Sequence, residues 1–94
     1  MSGTGPSRAR LMIQNRLGLH ARAAALFVQT ASAFAAAVSV QKDGETVDGK
    51  SIMGLMMLAA GKGSTIEVEA TGPDADACLR ALEDLVQARF READ

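Results

Sequence analysis

The segment NRLGLHARAAALFVQTAS, residues 15–32, decides the reading of the fold. Asn15 to Gly18 has the polar and glycine chemistry of a turn, and after His20 the residues Ala24, Phe27, Val28 and Ala31 recur at the spacing of one helix face. A turn that opens into a helix over 21–32 is predicted. Upstream, Ala9, Leu11 and Ile13 alternate with Arg8, Arg10 and Met12, the period of a strand with one buried face.

Downstream, the period switches between the two kinds of element. Val38 and Val40 oppose Ser39 and Gln41, Lys42-Asp43-Gly44 supplies a turn, and Glu45 to Asp48 returns, so residues 38–48 form a hairpin pattern. Ser51 ahead of Ile52 to Leu58 predicts a short serine-capped helix, ended by Gly61-Lys62-Gly63. Ile66, Val68 and Ala70 alternate with Thr65, Glu67 and Glu69 as a fourth strand. Gly72-Pro73-Asp74 starts the last helix, since Pro suits a first turn and Asp74 and Asp76 complement the amino-end dipole. Its apolar stripe is Cys78, Ala81, Leu82, Leu85 and Val86. The order βαββαβα, with polar residues on one face of the strands, predicts an α+β fold: a two-layer sandwich with a four-stranded antiparallel sheet and three helices on one face.

A chain of 94 residues has room for one core. Residues 1–7, MSGTGPS, bury too little to offset their ordering entropy and read as a disordered tail, leaving 8–94 as the domain. The apolar fraction is 48%, but much of it is Ala, so the core is lean. The net charge of −1 gives no polycationic signature. No Asp or Glu precedes Asp43, whereas Arg8, Arg10, Arg16, Arg22 and Lys42 do, so the first half is suited to anionic or acidic contacts.

With no Trp or Tyr, and no Phe in a predicted strand, a sheet that stacks bases is missing, and nucleic acid is not an expected partner. Cys78 is the only cysteine, which excludes an internal disulfide, offers no thiolate pair for a metal and fits a reducing cytoplasm. Cys78 is expected to pack within the last helix, and Lys50 and Lys62 to be solvated. The first ten residues lack an apolar leader, and no apolar run approaches the roughly 18 residues a membrane span needs, so neither export nor insertion is expected.

His20 is the single histidine. Where a turn becomes a helix, unpaired first-turn amides point outward and bind anions. Their positive potential disfavours imidazolium, leaving a neutral ring nitrogen able to attack phosphorus. The amides of Ala21 and Arg22, with the Arg22 guanidinium, are candidates to hold phosphoryl oxygens. Loose phosphoryl transfer depends chiefly on positioning and charge stabilisation, so no carboxylate partner, metal or cofactor is expected there. On spacing alone, a lone His at a helix start is more often a polar cap.

The run Gly18-Leu19-His20-Ala21-Arg22-Ala23-Ala24 resembles the phosphorylation-site motif of the HPr family, usually Gly-Leu-His-Ala-Arg-Pro-Ala. A second family signature follows at Gly49-Lys50-Ser51-Ile52-Met53-Gly54-Leu55-Met56. Together they cover about residues 7–90, and the derived element order is similar to the family's open-faced β-sandwich. The resemblance implies a bacterial, monomeric phosphocarrier of the phosphotransferase system, either its sugar or its nitrogen branch. His20 would accept a phosphoryl group at Nδ1 from Enzyme I and donate it to an Enzyme IIA histidine, as a stoichiometric carrier rather than a turnover enzyme. Ala23 departs from the family's Pro; it loosens the helix start and adds a potential donor.

Ser51 reads as a helix N-cap. By the resemblance it is also the site for an ATP-dependent HPr kinase/phosphorylase. Residues 52–58 are too apolar for all to face inward, so Leu55 and Leu58 are the core candidates. Ile52, Met53 and Met56 are candidates for an exposed patch, and packing inside stays open as the alternative. The resemblance makes this patch part of the partner surface. A docking module that retains the fold and leaves His20 unused is the competing function.

Overall fold

In a computed structural model, which describes residues 6–92, the alternating segments become strands and the periodic ones helices. The elements are β1 (Ser7–Met12), α1 (Ala21–Ser32), β2 (Ala37–Lys42), β3 (Glu45–Asp48), α2 (Ile52–Met57), β4 (Thr65–Thr71) and α3 (Ala75–Gln87), followed by a 3₁₀ turn at Arg89–Arg91. The four strands form one antiparallel sheet in the order β1-β4-β2-β3. Residues 1–5 of the expected tail lie outside the described residues. Ser7, placed in that tail by composition, instead pairs with Ala70 at the start of β1.

Register follows from burial. Leu11 of β1, Val38 and Val40 of β2, and Ile66, Val68 and Ala70 of β4 all turn inward and are buried with Phe27, Leu55, Leu82, Leu85 and Phe90. A one-residue slip would turn each of these apolar residues to solvent, so the inner face pins the pairing. The outer face carries Arg8, Arg10, Ser39, Gln41, Glu67 and Glu69, and Arg10 pairs with Glu67 across the sheet at 2.8 Å. α1 packs on α2 and α3, and α3 covers β1 and β4. Among the described residues no helix is long and apolar enough to cross a membrane.

Three local expectations are corrected. Leu79 joins the buried stripe of α3 while Ala81 is only half-buried, because the packed arc of the helix is displaced toward Ala75. Pro73 lies ahead of α3 rather than in its first turn, because the helix starts at Ala75 with Asp74 as N-cap; the Asp74 carboxylate accepts from Ala35 N at 2.8 Å and Ala36 N at 2.9 Å, stitching the α1–β2 connection to the start of α3. Lys50 is half-buried rather than solvated, its Nζ donating to Phe34 O at 2.9 Å.

The turn between β1 and α1 is bound to the loop ahead of β4. Ile13 N donates to Ser64 O at 2.8 Å, Gly63 N to Ile13 O at 2.7 Å, and Leu19 N to Ala60 O at 2.9 Å. Gly18 lies in this seam at φ +67°, and a Cβ there would sit 2.4 Å from Ala60 O. Gly18→Ala therefore combines left-handed strain with overlap against backbone, and should cost about 2–4 kcal/mol. Urea unfolding is the measurement, with a lower midpoint at unchanged slope.

Candidate functional site

His20 is the N-cap of α1, with extended backbone at φ −74° and ψ 178°. Its carbonyl closes the first helical bond, accepting from Ala24 N at 2.8 Å. The His20 side chain makes no cap hydrogen bond, and the amides of Ala21, Arg22 and Ala23, which have no carbonyl four residues back within the helix, are the groups with which this helix start can meet an anion. Ala23 is fully buried and so belongs to the core face of this first turn. Ala21 and Arg22 are exposed at the helix start.

The imidazole does not stand alone. Its Nε2 lies 2.5 Å from Oε2 of Glu92, with His20 half-buried and Glu92 more enclosed. The other carboxylate oxygen, Oε1, accepts from Asn15 Nδ2 at 3.1 Å. Asn15 is wholly buried, and Nδ2 also donates to Gly18 O at 2.8 Å while Gly18 N donates to Asn15 O at 3.2 Å. Turn, helix start and chain end thus converge on one carboxylate. The hydrogen bond from His20 holds the Glu92 carboxyl below its usual range; burial opposes this, and the Asn15 bond and the charges of His20 and Arg22 add to it.

Glu92 reaches the site through an unusual backbone. Arg89, Phe90 and Arg91 have φ of 55°, 53° and 62°, three consecutive non-glycine residues in the left-handed region. Each costs about 1–2 kcal/mol. Phe90, 1% exposed, is driven into the core by this reversal, and burying its ring offsets about 1.5–3 kcal/mol. Glu92 N donates to Arg89 O at 3.0 Å, closing the turn.

Ser51 caps α2, its Oγ accepting from Gly54 N at 3.0 Å. Ile52, Met53 and Met56 are exposed, as are Met57 and Leu17, which sequence reasoning left out of that patch. α2 packs against α1, so this apolar surface borders the helix that His20 caps. Leu55 and Leu58 point into the core. Among the described residues no group of three His, Cys, Asp or Glu side chains is arranged to hold a metal.

Two residues of the site escaped the sequence, and with them the expectation of a site lacking a carboxylate is corrected. Asn15 looked like a turn residue because burial cannot be read from a lone polar position. Glu92 sits 72 positions from His20, and no periodicity links a chain end to a helix start.

The family model described as "PTS HPr component phosphorylation site" matches residues 7–88. The phosphocarrier protein HPr of Neisseria meningitidis is 55% identical over 82 residues, 87% of this chain and 92% of that protein. Among solved structures, HPr-C-His from Thermoanaerobacter tengcongensis aligns with a TM-score of 0.90 at 43% identity, over 94% of this chain and 99% of that one. HPr from Bacillus anthracis aligns at 0.84 with 47% identity, over 88% and 99%.

The direction of the Glu92 shift sets an acid-side dependence. A carboxyl that titrates lower folded than unfolded contributes fully above its unfolded value, about pH 4.3, and that contribution is lost as pH falls through the folded value. Between about pH 6 and about pH 3, urea midpoints of Glu92→Gln should decline less steeply than those of the native chain. Parallel declines would contradict the assignment.

Proposed function

The chain belongs to the HPr phosphocarrier family, and from that premise we propose that His20 takes a phosphoryl group from the phosphohistidine of Enzyme I and passes it to a histidine of an Enzyme IIA. The observation that carries this reading is His20 at the N-cap of α1, with an imidazole that does not cap the first-turn amides beside it. A neutral ring nitrogen of His20 attacks phosphorus in line as the donor's N–P bond breaks. The donor returns to neutral imidazole and the acceptor keeps its remaining N–H, so no proton has to be supplied or removed. The amides of Ala21 and Arg22 and the Arg22 guanidinium take up the charge on the equatorial oxygens, which is most of what such a loose transition state requires.

One chain is the working unit, in a bacterial cytoplasm, and it meets its partners in turn. The exposed Ile52, Met53 and Met56 form the partner surface, where flexible thioethers adapt to more than one protein. Ser51 is the regulatory position, accepting phosphate from an HPr kinase/phosphorylase where the source has one. Nearly two negative charges would then stand at the edge of that apolar surface and weaken docking without unfolding the domain. α1 carries no basic residue besides Arg22, so steering toward an acidic Enzyme I is weak and apolar contact supplies more of the affinity.

Incubation with Enzyme I and phosphoenolpyruvate should yield acid-labile, base-stable phosphate that is lost in His20→Ala, while Arg22→Ala should slow uptake by about 100-fold. A native chain that takes up none leaves the docking-module reading in place. Stopped-flow association with Enzyme I should change little with added salt; a steep fall would contradict weak steering.

A further inference from the structure

The methionines of this chain are distributed in a way that packing does not explain. All four among the described residues are exposed, and three of them, Met53, Met56 and Met57, fall within the six residues of α2. Spacings of three and four put those three side chains on one face of the helix, turned away from the buried Leu55. Met53 and Met57 are the most open, at 72% and 71% exposure. Cys78, the one thiol in the sequence, is fully buried. Burial, then the charge of Asp74, push that thiol up against the opposing charge of Lys50, so it offers an oxidant little thiolate. The sulfur within reach of solvent is therefore thioether sulfur, concentrated on α2.

We propose that the Met53, Met56 and Met57 face of α2 is a reversible oxidation site, at which peroxides convert the thioethers to sulfoxides and thereby release the chain from Enzyme I. The proposal rests on the phosphocarrier reading for the identity of that partner. The surface is apolar in its reduced form, and each sulfoxide places a strongly hydrated oxygen on it that docking would have to strip of water without supplying a donor. The fold has no such stake in these sulfurs, because Leu55 and Leu58 carry the burial of this segment while the three thioethers stand in solvent.

In the oxidation, a lone pair of the thioether sulfur attacks one oxygen of the peroxide. An S–O bond forms as the O–O bond breaks, and for hydrogen peroxide the second oxygen leaves with both protons as water. Sulfur loses two electrons and the peroxide gains them. Two thiols reverse the step, taking the oxygen away as water and leaving a disulfide, which is the chemistry of the methionine sulfoxide reductases, one for each epimer. Met12 supplies an internal comparison. It is exposed on β1, the sheet edge opposite β3, and α2 packs against β3.

Titration calorimetry of the full chain with unphosphorylated Enzyme I, before and after hydrogen peroxide, reads the effect without requiring transfer. Peptide mass spectrometry should find sulfoxide on Met53 and Met57, Kd should rise at least about tenfold, and treatment with both reductases should restore it. The urea midpoint should stay where it was. Met12→Leu should respond to peroxide as the native chain does, whereas Met53→Leu/Met56→Leu/Met57→Leu, whatever its starting affinity, should bind equally before and after. Sulfoxides on α2 with Kd unchanged, a loss that the triple variant still shows, a lowered urea midpoint, or a reduced chain that does not bind Enzyme I overturns the proposal. A reduced chain that binds, weakens on oxidation and yet takes up no phosphate from phosphorylated Enzyme I overturns the phosphocarrier reading alone.

Discussion

Backbone pairing between the β1–α1 turn and the loop ahead of β4 is the constraint on which the site depends. The bonds of Ile13, Leu19 and Gly63 to that loop hold the ends of a segment containing only one fully buried polar side chain, that of Asn15. Once the segment is fixed, α1 has one place to begin and His20 one place to stand. The seam also explains why Gly18 is glycine: the chain must cross Ala60 O closely, in a left-handed conformation.

From this fixed point the energetics divide. The sheet and helices rest on apolar burial, with Phe27, Leu55, Ile66, Val68 and Leu82 all inaccessible to solvent. The site rests on polar bonds in a partly enclosed corner, where one carboxylate meets both an imidazole and the NH2 group of a primary amide. A buried amide left half-paired is costly, so the Asn15–Glu92 bond does structural work that an exposed ion pair such as Arg8–Glu69 does not. The remaining Asn15 oxygen has no partner among the described residues.

The two faces of the domain are unlike in chemistry. The outer face of the sheet is laddered with charge, which protects a solvent-facing sheet from pairing with other chains. Apart from Met12 at the end of β1, the exposed large apolar residues gather instead on α2, which packs against α1, and at Leu17.

Local pattern in the sequence was enough for the elements, their order, the inward-facing residues of the strands, the serine cap of α2 and His20 at the opening of α1, because each depends on neighbours within one or two turns of chain. The HPr motif around His20 was legible for the same reason. The burial of Asn15, the bond from Lys50 to Phe34 O and the carboxylate of Glu92 against His20 were decided only by tertiary structure. Each joins groups that no helical or strand period relates, and the last also needs a run of left-handed residues that Arg, Phe and Arg do not adopt by themselves, held in place by the burial of Phe90.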